Sequence, residues 1–244
     1  GNNRPDSAIY FGTRTARSEQ QYGEDMADDL HLNPLTGHGE FDRLIAEFSE
    51  LRDAEAMESA RQAVWEKFGV EGAVFISDMA SFSSTSRKIG VCHFLKLIHR
   101  ARQMIAPLIA QNNGLLLKCD ADNCYAFFES TDDAIRASFD INAELFRHND
   151  EFSLNEQIYL SVGIDYGRVL LIGDREFFGD PVNTASKLGE DLAIKAETLV
   201  TKRALEHATL TIPETAERMV ARISEIEIKY VRLPMTEIER DELE

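Results

Sequence analysis

The sequence predicts an α+β fold with a ferredoxin-like βαββαβ core and an additional helix and strands toward the C-terminus. Short apolar runs alternate with longer stretches whose apolar residues recur every three or four positions, which indicates strands alternating with helices. From residue 73 onward the order is strand, helix, strand, strand, helix, strand. Only a tight polar turn separates the two middle strands, so they form a hairpin. This order favours an antiparallel sheet with both helices on one face.

The elements of this core follow one another closely along the chain. The apolar run Ala73 to Ile76 predicts a buried strand that ends at Asp78, and apolar periodicity predicts helices over about 91–109 and 132–146. Gly167 is expected to break the chain between the last two strands. The remaining predicted strands are Leu115 to Cys119, Cys124 to Phe128, Ile158 to Ile164 and Arg168 to Ile172.

Four regions describe the organisation of the whole chain. Residues 1–38 lack apolar periodicity and are expected to form a flexible arm, whereas 39–69 have a helical pattern. That helical segment is either two short helices or one helix with different partners along its length, and it packs on the domain or couples dimer partners. The main domain is predicted over 70–233, and 234–244 form an acidic tail. The late elements of the main domain are a helix over 180–194, a short strand Thr198 to Thr201, and a strand Ile223 to Val231.

Composition and charge exclude several classes of protein. The chain has 26 basic and 43 acidic residues and a net charge of −17, which argues against nucleic acid and anionic membrane surfaces as partners. No run approaches the roughly 20 apolar residues of a membrane span, so no direct membrane insertion is expected. Cys92, Cys119 and Cys124 lack the spacing of a zinc site, and their odd number fits a reducing, cytoplasmic location.

Two carboxylates are the clearest candidates for chemistry. The motifs GxxxxGK[ST], GxGxxG, HExxH and GxSxG are absent from the sequence. Asp78 ends the first predicted strand, and Asp122 lies at the tip of the following hairpin. In a ferredoxin-like sheet these positions reach the same end, where two carboxylates would suit Mg²⁺ or Mn²⁺. On spacing alone, the same residues could equally be a strand end and a turn cap.

Four segments together resemble the successive signatures of class III nucleotidyl cyclases. They occur in the family's order, and the resemblance covers about residues 70 to 233. The segments are FISDMASF from Phe75, LKCDAD from Leu117, VGIDYGRV from Val162 and FGDPVNTASKL from Phe178.

The resemblance implies an adenylate cyclase that converts ATP into 3′,5′-cyclic AMP and pyrophosphate at sites shared across a homodimer. It implies two Mg²⁺ or Mn²⁺ ions per site, and an upstream sensor domain or regulator is a further expected partner. Asp78, Asp122 and Arg168 would come from one protomer, and the other site residues from its partner. By their matching positions, the metal would be held by Asp78, Asp122 and the Met79 carbonyl, adenine by Lys118 and Glu176, the ribose by Asn183, the α-phosphate by Lys187, and the polyphosphate by Arg168 and Lys229.

Two positions depart from the family pattern. Family members usually have Arg at the position of Lys187, and Lys keeps the charge but loses the planar fork of donors. They usually have Asp at the position of Glu176, which is one methylene longer. These departures leave two alternatives to an adenylate cyclase: a guanylate or pyrimidine nucleotide cyclase, and a catalytically weak, nucleotide-binding regulatory domain.

Overall fold

The computed structural model describes residues 35–80, 90–154, 156–214, 216–223 and 226–233. Most of the predicted N-terminal arm and the predicted acidic tail lie outside these residues, as do Ser81 and Phe82 of the first cyclase-like segment. In the described part of the chain, no helix has the length and apolar character needed to cross a membrane.

The core of the domain has the predicted ferredoxin-like arrangement. The core elements are β1 (Gly69–Met79), α3 (Val91–Gln111), β2 (Leu115–Asp120), β3 (Asn123–Phe128), α4 (Thr131–Asn149) and β4 (Leu160–Ile172). Strand β1 lies between β3 and β4 and runs antiparallel to both. Four later strands, β5 (Glu176–Phe178), β6 (Thr198–Thr201), β7 (Glu217–Ile223) and β8 (Ile226–Leu233), complete one eight-stranded sheet among the described residues. Its order is β2-β3-β1-β4-β6-β8-β7, with β5 paired to β4.

The two faces of β1 are buried against different layers, because alternate residues of a strand point to opposite sides. Ala73 and Phe75 belong to the large apolar cluster under α3 and α4. Val74 and Ile76 belong to a second cluster on the other face of the sheet. All four are completely buried, and a buried Phe or Ile side chain contributes about 2 kcal/mol to folding. Asp78 is two residues after Ile76, so it points to the same side as Val74 and Ile76, away from α3 and α4.

The N-terminal segment forms two helices, α1 (Gly39–Glu50) and α2 (Ala54–Phe68). Asp53 begins α2, because its carboxylate accepts a hydrogen bond of 2.8 Å from the amide of Ala56. The rings of Phe41 and Phe68 meet edge to face and pack with Ile172 of β4. This segment therefore packs on the domain.

The later elements differ in three ways from the sequence prediction. Strand β4 continues through Gly167, which pairs with Gly72 of β1 and so stays in the ladder. The helix expected over 180–194 is divided, and the late strand begins at Ile226 and pairs with an edge strand, Glu217–Ile223, that was not predicted from the sequence. These elements are β5 (Glu176–Phe178), α5 (Asp180–Ser186), a π-helical turn (Lys187–Leu192), β6 (Thr198–Thr201), α6 (Lys202–Glu206), β7 (Glu217–Ile223) and β8 (Ile226–Leu233).

Candidate active site

The two predicted metal-binding carboxylates meet at one end of the sheet. Asp78 is the penultimate residue of β1, and Asp122 lies in the turn between β2 and β3. Their side chains hydrogen-bond each other. The Asp78 carboxylate also accepts a hydrogen bond from the amide of Met79, and its carbonyl accepts one of 3.3 Å from the hydroxyl of Ser161. Both carboxylates are half-buried.

This environment opposes two negative charges. Burial, together with the carboxylates of Asp122 and Glu190, raises the pKa of Asp78 to about 7. Burial also raises the pKa of Asp122. Because two close carboxylates cannot both ionise freely, the metal-free pair retains a proton near neutral pH.

A divalent cation fits this pair of carboxylates. Hard oxygen donors are the ligands that Mg²⁺ and Mn²⁺ prefer, and a cation would relieve the repulsion that raises the pKa of Asp78. Among the described residues, no Lys, Arg or His forms an ion pair with Asp78 or Asp122. The same residues contain no cluster of three or more His, Cys, Asp or Glu arranged to hold a metal. Further ligands would therefore come from the backbone, water or a bound substrate.

Glu190 ties this carboxylate pair to the neighbouring helix. Its Oε1 atom accepts a hydrogen bond of 3.2 Å from the side-chain amide of Asn123, which follows Asp122 in the hairpin. The same oxygen accepts one of 2.6 Å from the hydroxyl of Ser186 at the end of α5. Glu190 thus links the turn that carries Asp122 to α5, the helix that carries Asn183.

Lys118 and Glu176 form a second polar site on the same face of the sheet. Lys118 Nζ donates a hydrogen bond of 2.7 Å to Glu176 Oε2, and it lies 5.3 Å from the ring centre of Tyr125. The β2–β3 register shifts between Leu116 and Lys118, so Leu117 is an extra residue on β2. This bulge turns Lys118 toward Glu176, because two successive residues of a bulged strand oppose a single partner residue.

Helix α5 and the π-helical turn lie directly on the sheet. A methyl group added to Gly163 of β4 would lie 2.1 Å from the carbonyl oxygen of Ala185, and one on Gly189 would lie 2.8 Å from that of Ile76. The absence of side chains at Gly163 and Gly189 therefore permits this close approach.

The start of α5 is held by an ion-pair network around Asp165. This fully buried carboxylate accepts hydrogen bonds from Thr201 Oγ1 at 2.5 Å and from both Nε and a terminal nitrogen of Arg203. The same terminal nitrogen donates a bond of 2.6 Å to Asp180, the first residue of α5. These two carboxylates raise the pKa of Arg203, so its guanidinium stays charged and joins β4, α5 and α6.

The remaining predicted residues on this side lie on or beside α5. Asn183 is exposed, and Lys187 is 3.5 Å from Asp191 on the π-helical turn. Lys229 of β8 is 3.4 Å from Glu227. Lys229 and residues of α5 line one cleft of about 420 Å³. The structure thus brings Lys229 close to α5, the helix that carries Asn183, and Lys187 follows that helix on the π-helical turn.

Arg168 lies elsewhere. It pairs with Glu71, whereas Asp78 pairs with Ser161, so the two site residues are seven positions apart along the β1–β4 pair. At the usual strand rise this separation is roughly 23 Å. The Arg168 guanidinium instead lies 5.0 Å from the ring centre of Trp65 on α2. Within one chain, Arg168 does not join Asp78 and Asp122 as the resemblance led us to expect.

Sequence reasoning missed three residues of this region. Glu190 lies within the helix predicted over 180–194, and the site residues predicted from the sequence include neither it nor Tyr125 nor Arg203. The single available signal was for Glu190, which follows Lys187 by three positions and so shares a helix face with it. Tyr125 and Arg203 reach the site through contacts between distant segments.

Solved structures of nucleotide cyclases share this fold. An adenylate/guanylate cyclase/hydrolase from Silicibacter pomeroyi is 22% identical with a TM-score of 0.57, and the match covers 68% of this chain and 96% of that one. A bacterial light-regulated adenylyl cyclase is 23% identical with a TM-score of 0.56, over 68% of this chain and 91% of that one. The guanylate cyclase domain of RhGC from Catenaria anguillulae, solved with GTP, is 16% identical with a TM-score of 0.55, over 68% and 97%. No protein-family model and no curated protein matches the chain.

The fold is therefore that of a class III nucleotidyl cyclase catalytic domain. This confirms the resemblance read from the four sequence segments at the level of architecture. Both adenylate and guanylate cyclases are among the similar structures, so enzymes of either specificity share the fold.

Proposed function

We propose that this chain is an adenylate cyclase that converts ATP into 3′,5′-cyclic AMP and pyrophosphate. The observation that carries the proposal is the hydrogen-bonded pair of Asp78 and Asp122 at the sheet end of a cyclase fold. The ribose 3′-oxygen must attack the α-phosphorus in line, so the protein has mainly to position the nucleotide and neutralise charge. Carboxylates that hold a metal ion and basic side chains that bind phosphate would do both.

Asp78, Asp122 and the Met79 carbonyl would hold the metal. Two Mg²⁺ or Mn²⁺ ions would supply acidification of the 3′-hydroxyl and neutralisation of the polyphosphate. The proton that the carboxylate pair retains near pH 7 leaves when a cation binds, because the positive charge favours both ionised forms. Binding is therefore expected to weaken as the pH falls below 7.

Lys118 and Glu176 would recognise the base. Adenine offers a ring-nitrogen acceptor and an amino donor along one edge, and the pair offers one donor and one acceptor 2.7 Å apart. In the absence of nucleotide the two side chains satisfy each other. Asn183 would orient the ribose, Lys187 would stabilise the charge on the α-phosphate, and Lys229 would hold the polyphosphate.

A homodimer with shared sites accounts for the separation of these residues. Lys187 pairs with Asp191 of its own helix rather than with the carboxylate pair, and Asn183 is exposed. A partner protomer would bring these residues opposite Asp78 and Asp122. Mixing Asp78→Ala with Asn183→Ala protein tests this arrangement, since each variant alone should be inactive and the mixed dimer contains one intact site. No recovery of activity after confirmed subunit exchange would reject it.

The substrate is tested with each of the four ribonucleoside triphosphates in the presence of Mn²⁺. We expect ATP to have the highest kcat/KM. A preference for GTP, UTP or CTP would overturn the base assignment of Lys118 and Glu176 while leaving the cyclase reaction in place.

A further inference from the structure

The hairpin that carries Asp122 also carries two cysteines, one on each strand next to the turn. Cys119 on β2 and Cys124 on β3 are directly opposite each other in the antiparallel register. Their thiols hydrogen-bond each other. Both are free thiols, and neither has a role in the proposed reaction.

The strand geometry suits a bond between these two sulfurs. Asp120 and Asn123 close the two-residue turn as a paired position, so Cys119 and Cys124 form the next, non-hydrogen-bonded pair. In such a pair the Cα atoms are about 4.5 Å apart, within the range of about 4.4 to 6.8 Å found in disulfides. The Cβ atoms must approach to about 3.8 Å, which draws the two strands slightly together at the base of the turn.

The two thiols differ in exposure, and this difference decides which of them reacts first. Cys124 is 2% exposed in the core under α3 and α4, whereas Cys119 is half-buried at the edge of that core. A small oxidant therefore reaches Cys119 first. Cys92, at the exposed start of α3, belongs to a different element and has no place in this pair.

We propose that Cys119 and Cys124 form a redox modification site that takes a peroxide as oxidant. The Cys119 sulfur attacks one oxygen of hydrogen peroxide and the O–O bond breaks. That oxygen stays on the sulfur as a sulfenic acid, and the second oxygen takes up the thiol proton and leaves as water. The Cys124 sulfur then attacks the resulting sulfenic acid, and the hydroxyl departs as a second water with the Cys124 proton. In total the protein loses two electrons and two protons, and one hydrogen peroxide is reduced to two waters.

The bond changes the position of Asp122, and this consequence rests on the proposed function. Arg102 donates hydrogen bonds to the carbonyls of Cys119 at 3.0 Å and Ala121 at 2.7 Å, so the turn is fixed to α3 close to the cysteine pair. Drawing the strands together beneath a turn held in this way twists the turn and moves the Asp122 carboxylate. A displacement approaching 1 Å at a reacting group lowers activity by up to about a hundredfold, and we expect a loss of about tenfold here.

The test compares Cys92→Ser with the double variants Cys92→Ser/Cys119→Ser and Cys92→Ser/Cys124→Ser, all as the full chain, after treatment with hydrogen peroxide. Peptide mapping should find a Cys119–Cys124 disulfide in Cys92→Ser alone. Its Mn²⁺ affinity and cyclase rate should fall about tenfold and return with dithiothreitol, whereas both double variants should keep theirs. Cys119→Ser changes a half-buried position, so it provides a folded control if the buried Cys124→Ser change destabilises the chain.

Two results would overturn the proposal. Thiols that remain open to alkylation at both positions after peroxide treatment would show that no bond forms. A disulfide that leaves Mn²⁺ affinity unchanged would show that it does not move Asp122. If the reduced protein binds Mn²⁺ but makes no cyclic nucleotide, the proposed function fails, while mapping and Mn²⁺ affinity still decide the redox site.

Discussion

Lys118 Nζ lies 2.7 Å from Glu176 Oε2, although one residue belongs to the β2–β3 hairpin and the other to the β4–β5 hairpin. If this pair holds the nucleobase, Lys118→Ala should raise the KM for ATP about tenfold and change kcat less, because base contacts are equal in the ground and transition states. Steady-state kinetics with ATP measure this split.

A matched control for that change lies on α3. Lys96 and Glu156 also form an ion pair of 2.8 Å, but on the face of the sheet away from the candidate site. Lys96→Ala should leave both kcat and KM as in the wild type. An unchanged KM in Lys118→Ala would show that Lys118 does not contact the base.

Asp78 makes the stability of the metal-free protein depend on pH. Its pKa is about 7 in the folded chain, above the roughly 3.9 of an unfolded Asp. The folded state therefore binds a proton on Asp78 more tightly than the unfolded state does. The stability that this proton contributes is fully present below about pH 4, declines as the pH rises, and is lost above about pH 7. Asp78→Asn should raise the Tm of the metal-free protein at pH 8 and raise it clearly less at pH 5, where only part of that stability has been lost.

Thermal unfolding with a chelator at both pH values tests that dependence. Asp174→Asn changes an exposed carboxylate in the turn between β4 and β5, and its effect on Tm should be the same at both pH values. A lower Tm for Asp78→Asn at pH 8 would mean that the ionised carboxylate stabilises the fold.

Arg203 should be required for the stability of the domain and the placement of α5. Arg203→Ala leaves the buried Asp165 carboxylate without its cation and frees Asp180 at the start of α5. We expect a loss of about 3 kcal/mol in the free energy of unfolding, measured with urea. Arg61→Ala removes the exposed pair with Glu58 and should change the free energy of unfolding far less, because water and salt screen such a pair. Equal effects of the two changes would contradict the role of this network.

Lys187 should act on the transition state. Lys187→Ala is expected to lower kcat about a hundredfold with little change in KM, because the charge on the α-phosphate develops during the reaction. Lys187→Arg should raise kcat, since a guanidinium supplies two aligned donors. Arg43→Ala is the control, as Arg43 pairs with Glu47 four residues later, in the same way that Lys187 pairs with Asp191.

The same variants separate the leading function from the catalytically weak alternative. An unchanged kcat in Lys187→Ala would remove this residue from the reaction. An inactive wild type together with an active Lys187→Arg variant would identify the chain as a weakened, nucleotide-binding relative of the cyclases.

Much of the fold and the meeting of the two carboxylates could be predicted because local patterns determine them. The apolar run of β1 stops at Asp78, and the polar turn at Asp122 separates two apolar strands, so both positions can be read from neighbouring residues. The ferredoxin-like order then places both ends at the same side of the sheet. The strand continuation through Gly167 escaped prediction because its partner Gly72, on a distant segment, keeps it in the ladder.

The rest of the site depends on contacts that no local pattern encodes. The bulge at Leu117 decides which face Lys118 occupies, and a shift of one residue would turn it away from Glu176. Glu190 reaches the carboxylate pair because a π-helical turn follows α5. The position of Arg168 follows from the β1–β4 register.

The most direct test of the central claim is the product that the purified protein makes from ATP and Mn²⁺. Chromatography with mass spectrometry should find 3′,5′-cyclic AMP, formed in equal amount with pyrophosphate by the wild type. Asp78→Asn, which keeps the shape of the side chain and removes its charge, should form neither. The absence of a cyclic nucleotide from ATP, GTP, UTP and CTP alike would contradict the account.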